Sequence, residues 1–102
     1  MATATKVIRY TTKPECADAN ARLIQAVFAE LAESRPEGMH YTAFRFADGV
    51  TFLHVAAFDG DDNPLTRSAA FREFQSGIAG RVAEVPAQFD ATVVGSYRML
   101  PD

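Results

Sequence analysis

This chain of 102 residues has one cysteine, two histidines and no tryptophan. A single cysteine excludes an intramolecular disulfide, so the fold must stand on its core alone. His40 and His54 have no close-spaced Cys or His companions, so neither a structural nor a catalytic metal site is expected. The acidic group Asp59, Asp61 and Asp62 lacks the spacing and terminal glutamate of an EF-hand loop and reads as a solvated turn. Positive charge is also scarce. Ten Lys and Arg against thirteen Asp and Glu leave a net charge of -3. No basic stripe is available to neutralise phosphates, which argues against a nucleic-acid partner. No apolar run approaches the roughly 20 residues of a membrane span, and Met1-Ala-Thr-Ala-Thr-Lys6 has no apolar signal-peptide core. The expected location is cytoplasmic. Phosphate-binding glycine loops, nucleophile elbows and dinucleotide fingerprints are missing, and no cofactor is expected.

What the chain does contain is an alternation of strand-like and helix-like segments over residues 1–102, read as one domain. Lys6–Thr12 is rich in β-branched and aromatic residues. Pro14 suits the first turn of a helix, because its missing N–H would be unpaired there anyway. Leu23, Ile24, Val27, Phe28 and Leu31 then recur at helical spacing, and Pro36 with Gly38 end that helix. Tyr41–Ala47 and Val50–Phe58 meet at Asp48-Gly49, a strong hairpin signal, since a type I′ turn needs positive φ at both central positions. A two-residue turn sets Arg45 opposite Phe52, Ala43 opposite His54 and Tyr41 opposite Ala56. Phe44 with Leu53 and Thr42 with Val55 take the other face. Ser68 is placed to cap a second helix carrying Phe71, Phe74, Ile78 and Val82. Gly77 and Gly80 each weaken that helix by up to about 1 kcal/mol. Arg67, Arg72 and Arg81 read as its solvated face, and Ala91–Leu100 as the last strand.

The order β-α-β-β-α-β specifies an α+β, ferredoxin-like fold: a four-stranded antiparallel sheet with two helices on one face. The uncovered face is expected to carry Phe52, Ala56 and Tyr41 beside Arg45 and His54. Exposed apolar patches of that size are uncommon on monomers, so a homodimer through the open sheet face is expected.

The chain resembles the dimeric α+β barrel proteins, and within them the antibiotic-biosynthesis-monooxygenase-like families. The resemblance rests on Val7-Ile-Arg-Tyr-Thr-Thr-Lys-Pro14, the long first helix, the hairpin Phe44-Arg-Phe-Ala-Asp-Gly-Val-Thr-Phe52, Phe71-Arg-Glu-Phe74 and the closing strand. It implies a homodimer whose two sheets face each other, with a cavity for an apolar or aromatic small molecule. Some relatives oxidise polycyclic phenols with oxygen and no cofactor; others degrade haem or isomerise lactones. Haem degraders use an Asn, Trp and His set, and this chain has no tryptophan. In the monooxygenase reading, His54 is the catalytic base and Arg45 holds the developing anion. Tyr41, Phe52 and Tyr97 are the substrate-binding candidates. The alternative is a non-enzymatic ligand-binding or structural dimer in which these side chains only pack. A cavity of a few hundred Å³ distinguishes the two.

Overall fold

The structure is a computed structural model that describes residues 3–59 and 63–97. β1 (Thr3–Thr11) leads through a 3-10 turn at Pro14–Cys16 into α1 (Ala17–Ser34). The hairpin strands β2 (Met39–Arg45) and β3 (Thr51–Asp59) follow, and a second 3-10 turn spans Pro64–Arg67. α2 (Ala69–Ser76), α3 (Ile78–Arg81) and β4 (Ala87–Ala91) complete the order. The strands form one antiparallel sheet ordered β2-β3-β1-β4, the expected ferredoxin-like topology.

Local signals account for most element ends. Arg35 closes α1 in the left-handed region at φ 45°, its N–H returning to the Leu31 carbonyl at 2.8 Å. Asn63 Oδ1 accepts from Leu65 N at 2.9 Å, and Ser68 Oγ accepts from Phe71 N at 3.0 Å, the cap expected for α2. Gly77 splits the second helical segment, so α2 and α3 are separate short helices.

The hairpin keeps the expected register, with Arg45 opposite Phe52, Ala43 opposite His54 and Tyr41 opposite Ala56. Its turn differs from the expected type I′. Gly49 is the residue there with positive φ, 79°, and its N–H returns to the Phe46 carbonyl at 2.9 Å. The Asp48 carboxylate explains the difference: it accepts from Val50 N, Thr51 N and Thr51 Oγ1 at 3.0, 2.9 and 2.6 Å. These bonds hold its carboxyl below the ordinary aspartate range.

Two further expectations are overturned. The last strand is Ala87–Ala91, whereas residues 92–97 have no regular structure, and 98–100 lie outside the described residues. Val7 pairs with Phe89 and Thr5 with Ala91, so β1 has almost no residues left to pair with Val93 and Val94. Ladder geometry here outweighs β propensity. The covered face is also the reverse of that expected. Tyr10, Phe52, His54, Ala56 and Phe58 are buried under the helices against Ile24, Val27 and Phe74. The open face instead carries half-buried Val7, Phe44, Leu53 and Val55, with Phe89 55% exposed. Both faces of this sheet are apolar enough to serve as core. The pleat shows which residues share a face, and the crossover helices decide which face they cover.

The end of α3 is stitched to the end of β1. Lys13 N donates to the Arg81 carbonyl and Ala83 N to the Thr11 carbonyl, each at 2.8 Å, with Thr12 bridged to Val82. These bonds fix the backbone of Arg81 beside β1 and α1.

Candidate functional site

A cavity of about 310 Å³ lies between the helix-facing side of the sheet and α2–α3. Its walls are mostly apolar, including Ile8, Ala56, Phe58, Leu65, Phe71 and Phe74, with Lys6, Asn63, Gln75 and Gln88 also contributing. Lys6 is ion-paired with Asp90, its ladder partner on β4.

Three ring side chains in the cavity wall are hydrogen-bonded to one another. Tyr10 comes from β1, Tyr41 from β2 and His54 from β3, and all three line the cavity. His54, 4% exposed, stands between the two phenols. Tyr10 Oη is 2.8 Å from His54 Nε2, and Tyr41 Oη is 2.6 Å from His54 Nδ1. Behind them, Asn20 Nδ2 donates to Tyr10 Oη at 2.9 Å, and Arg81 Nε donates to Asn20 Oδ1 at 2.9 Å. Arg81 also donates through Nη2 to the Phe74 carbonyl at 2.6 Å, with its guanidinium 5.1 Å from the Phe74 ring centre. Aromatic contacts brace the set: Phe52 stacks on Tyr10 at 5.6 Å, Phe28 on Tyr41 at 4.8 Å, and Phe74 lies 5.6 Å from His54.

Burial governs the ionisation of these groups. It pushes the imidazole of His54 down to about 4. It raises the Tyr10 phenol to about 12, against the opposing pull of the Asn20 hydrogen bond and the Arg81 charge. Burial also raises the Tyr41 phenol well above its ordinary value. At neutral pH the Tyr10–His54–Tyr41 set is therefore uncharged, and the nearest cation in the chain of bonds is Arg81. Such an array offers directed hydrogen bonds to a polar atom of a ligand whose body packs on aliphatic and aromatic walls.

His54 and Tyr41, both expected from the sequence, meet at this cavity. Phe52 is fully buried behind it, stacked on Tyr10, and does not line it. Arg45 turns away. It donates to Asp18 Oδ1 at 3.0 Å and to the Gly49 carbonyl at 2.9 Å, its guanidinium 5.7 Å from the Phe52 ring centre. Tyr97 follows β4 at 80% exposure and is absent from the cavity walls. Tyr10, Asn20 and Arg81 were not singled out from the sequence, and Arg81 is half-buried rather than solvated. Tyr10 becomes visible as a site residue only once β1 pairs with β3, which sets it opposite Phe52 and Ile8 opposite His54.

No protein-family model and no curated protein matches the chain. Solved structures do. A candidate antibiotic biosynthesis monooxygenase from Nitrosomonas europaea aligns with TM-score 0.72 at 11% identity, covering 90% of each chain. One from Caulobacter crescentus aligns with TM-score 0.72 at 13% identity, covering 91% of each. A conserved protein from Methanosarcina mazei aligns with TM-score 0.70 at 17% identity, covering 89% of this chain and 92% of the other. The chain therefore has the fold of the antibiotic-biosynthesis-monooxygenase-like proteins. Among the described residues, no helix is long and apolar enough to cross a membrane.

Proposed function

We propose that this protein binds an apolar or aromatic small molecule in the cavity between its sheet and helices, and oxidises it with O₂ as a cofactor-independent monooxygenase. The observation that carries the reading is the cavity of about 310 Å³ with Tyr10, His54 and Tyr41 in its wall. That volume lies at the lower end of the range for small-molecule sites, about 300–1,000 Å³, and it supports a ligand-binding interior over a filled one. The monooxygenase assignment draws on the names of the structural neighbours. In such a reaction a methylene next to a phenolic ring system becomes a carbonyl. The substrate gives up two hydrogens and four electrons, one oxygen atom enters the product and the other leaves as water. The Tyr41–His54–Tyr10 set addresses the polar oxygen of the substrate.

The working unit in this proposal is a cytoplasmic homodimer formed through the open sheet face. Val7, Phe44, Leu53, Val55 and the exposed Phe89 support it, being too apolar together to be left to solvent.

Native mass spectrometry of the purified protein, followed by oxygen uptake with an anthrone-type tricyclic phenol, tests both parts. A dimer that consumes oxygen, and an Ile78→Trp variant that does not because its cavity is filled, is the expected result. A dimer that retains a ligand without consuming oxygen with this or related phenols would leave a binding module. A monomer that binds nothing would end the proposal.

A further inference from the structure

The direction of every hydrogen bond in the buried chain follows from its far end. Arginine has no acceptor, so the Arg81 Nε–H can only donate, and the atom it meets at 2.9 Å must be the Asn20 carbonyl oxygen. A flipped Asn20 amide would set N–H against N–H. Arg81 is itself held by the Phe74 carbonyl, by the Phe74 ring and by the backbone bond from Lys13. The Asn20 amide, fully buried on α1, therefore presents its Nδ2 to Tyr10 Oη and donates.

Tyr10 has one proton, and it is 5% exposed. With its oxygen already accepting from Asn20, that proton goes to His54 Nε2 at 2.8 Å. In the opposite arrangement Nε2–H would donate to Tyr10. The Tyr10 oxygen would then accept twice, and its own proton would be buried without a partner, a costly outcome. With Nε2 the acceptor and the ring neutral, the remaining ring proton is on Nδ1 and donates to Tyr41 Oη at 2.6 Å. Tyr41 thus accepts from His54, and its own proton is not used by the imidazole. Among the described residues its hydroxyl bonds to His54 alone, and Tyr41 lines the cavity.

We propose that Asn20 and Arg81 are positioning residues that lock His54 as the Nδ1–H tautomer. Tyr41 then offers its phenol proton to the cavity, and the ligand presents a hydrogen-bond-accepting oxygen, a carbonyl, enolate or phenolate, at that point. The ligand half of this inference rests on the cavity reading above; the direction of the chain does not. His54 accordingly supports Tyr41 as a donor and is not free to take a proton from the substrate. Its Nε2 lone pair is occupied by Tyr10, and its Nδ1 already carries a proton. As negative charge grows on the ligand oxygen, the Tyr41, His54 and Tyr10 bonds strengthen in series toward the Arg81 cation.

The tautomer is measured directly by long-range ¹H–¹⁵N correlation of the histidine rings at pH 7, in a His40→Gln background so that one imidazole remains. The expected pattern is a protonated Nδ1 and a bare Nε2. Asn20→Asp supplies the reversal. Its carboxylate still pairs with Arg81 but can only accept, so it draws the Tyr10 proton to itself. Tyr10 then accepts from Nε2–H, Nδ1 accepts from Tyr41, and the tautomer inverts. A role for Asn20 in packing alone would not produce that inversion. Nε2–H in the parent protein, or an unchanged tautomer in folded Asn20→Asp, overturns the proposal. The parent measurement decides the direction even if the variant does not fold.

The ligand half is read with acetophenone and its near-isostere α-methylstyrene, which lacks the acceptor oxygen. The parent protein should prefer acetophenone by about tenfold, the size of one well-made hydrogen bond, and Asn20→Asp should lose that preference. An equal preference in both proteins overturns the assignment of Tyr41 as donor. Failure of both probes to bind, with the tautomers as expected, overturns the ligand half and the cavity reading while the chain direction stands.

Discussion

Acidification should destabilise this protein through one buried imidazole. His54 is 4% exposed, and burial depresses it from 6.5 to about 4. Between those values the unfolded chain binds a proton at this residue that the native state refuses, so stability rises with pH across the window and falls as pH drops through it. Each pH unit corresponds to about 1.4 kcal/mol. From pH 6.5 to pH 5 the loss is about 2 kcal/mol, growing to about 3 kcal/mol by pH 4 as the native imidazole itself begins to titrate. Urea unfolding at pH 7 and pH 5 reads the effect as a midpoint drop of about 0.7–2 M, given slopes of roughly 1–3 kcal/mol/M for small proteins. His40→Gln removes the other imidazole. His54→Gln in that background should flatten the response between pH 7 and pH 5. Equal pH dependence with and without His54, or a native His54 that titrates near 6.5 by NMR, would refute the assignment of a buried, neutral ring.

Three other outcomes follow from particular placements. Phe52→Ala removes a ring that is 1% exposed and stacked under Tyr10; it should cost about 3–5 kcal/mol in chemical denaturation and loosen the Tyr10–His54 bond. Val55→Asp places a charge on the open sheet face; under the dimer proposal, light scattering after size exclusion should show dimers for the parent and monomers for this variant. Tyr97→Phe lies outside the cavity walls, so ligand affinity measured by titration calorimetry should be unchanged.

Much of this fold is legible in local pattern. The apolar stripe of α1, the Ser68 cap and the strand pairing across Asp48-Gly49 each depend on residues close in sequence, where spacing alone limits the geometry. The hairpin register follows from a short connection even though the turn is not of the expected type, because the Asp48 carboxylate gathers donors that a type I′ backbone would not offer it. His54 and Tyr41 share a face for the same reason. They belong to neighbouring strands joined by that turn.

What the sequence by itself determined is therefore the element order, the hairpin register and the sharing of one face by His54, Tyr41 and Phe52. The tertiary structure decided which face the helices cover, where β4 pairs, and that Arg45 and Tyr97 stay outside the cavity. It also brought Tyr10, Asn20 and Arg81 to His54 from β1, α1 and α3. Asn20 and Arg81 are 61 residues apart, and Tyr10 and His54 are 44 apart. No local periodicity encodes such meetings. They arise only when the β1–β3 ladder and the crossover helices close on a shared core, because buried polar groups must then find their partners among whatever side chains the topology has brought within reach.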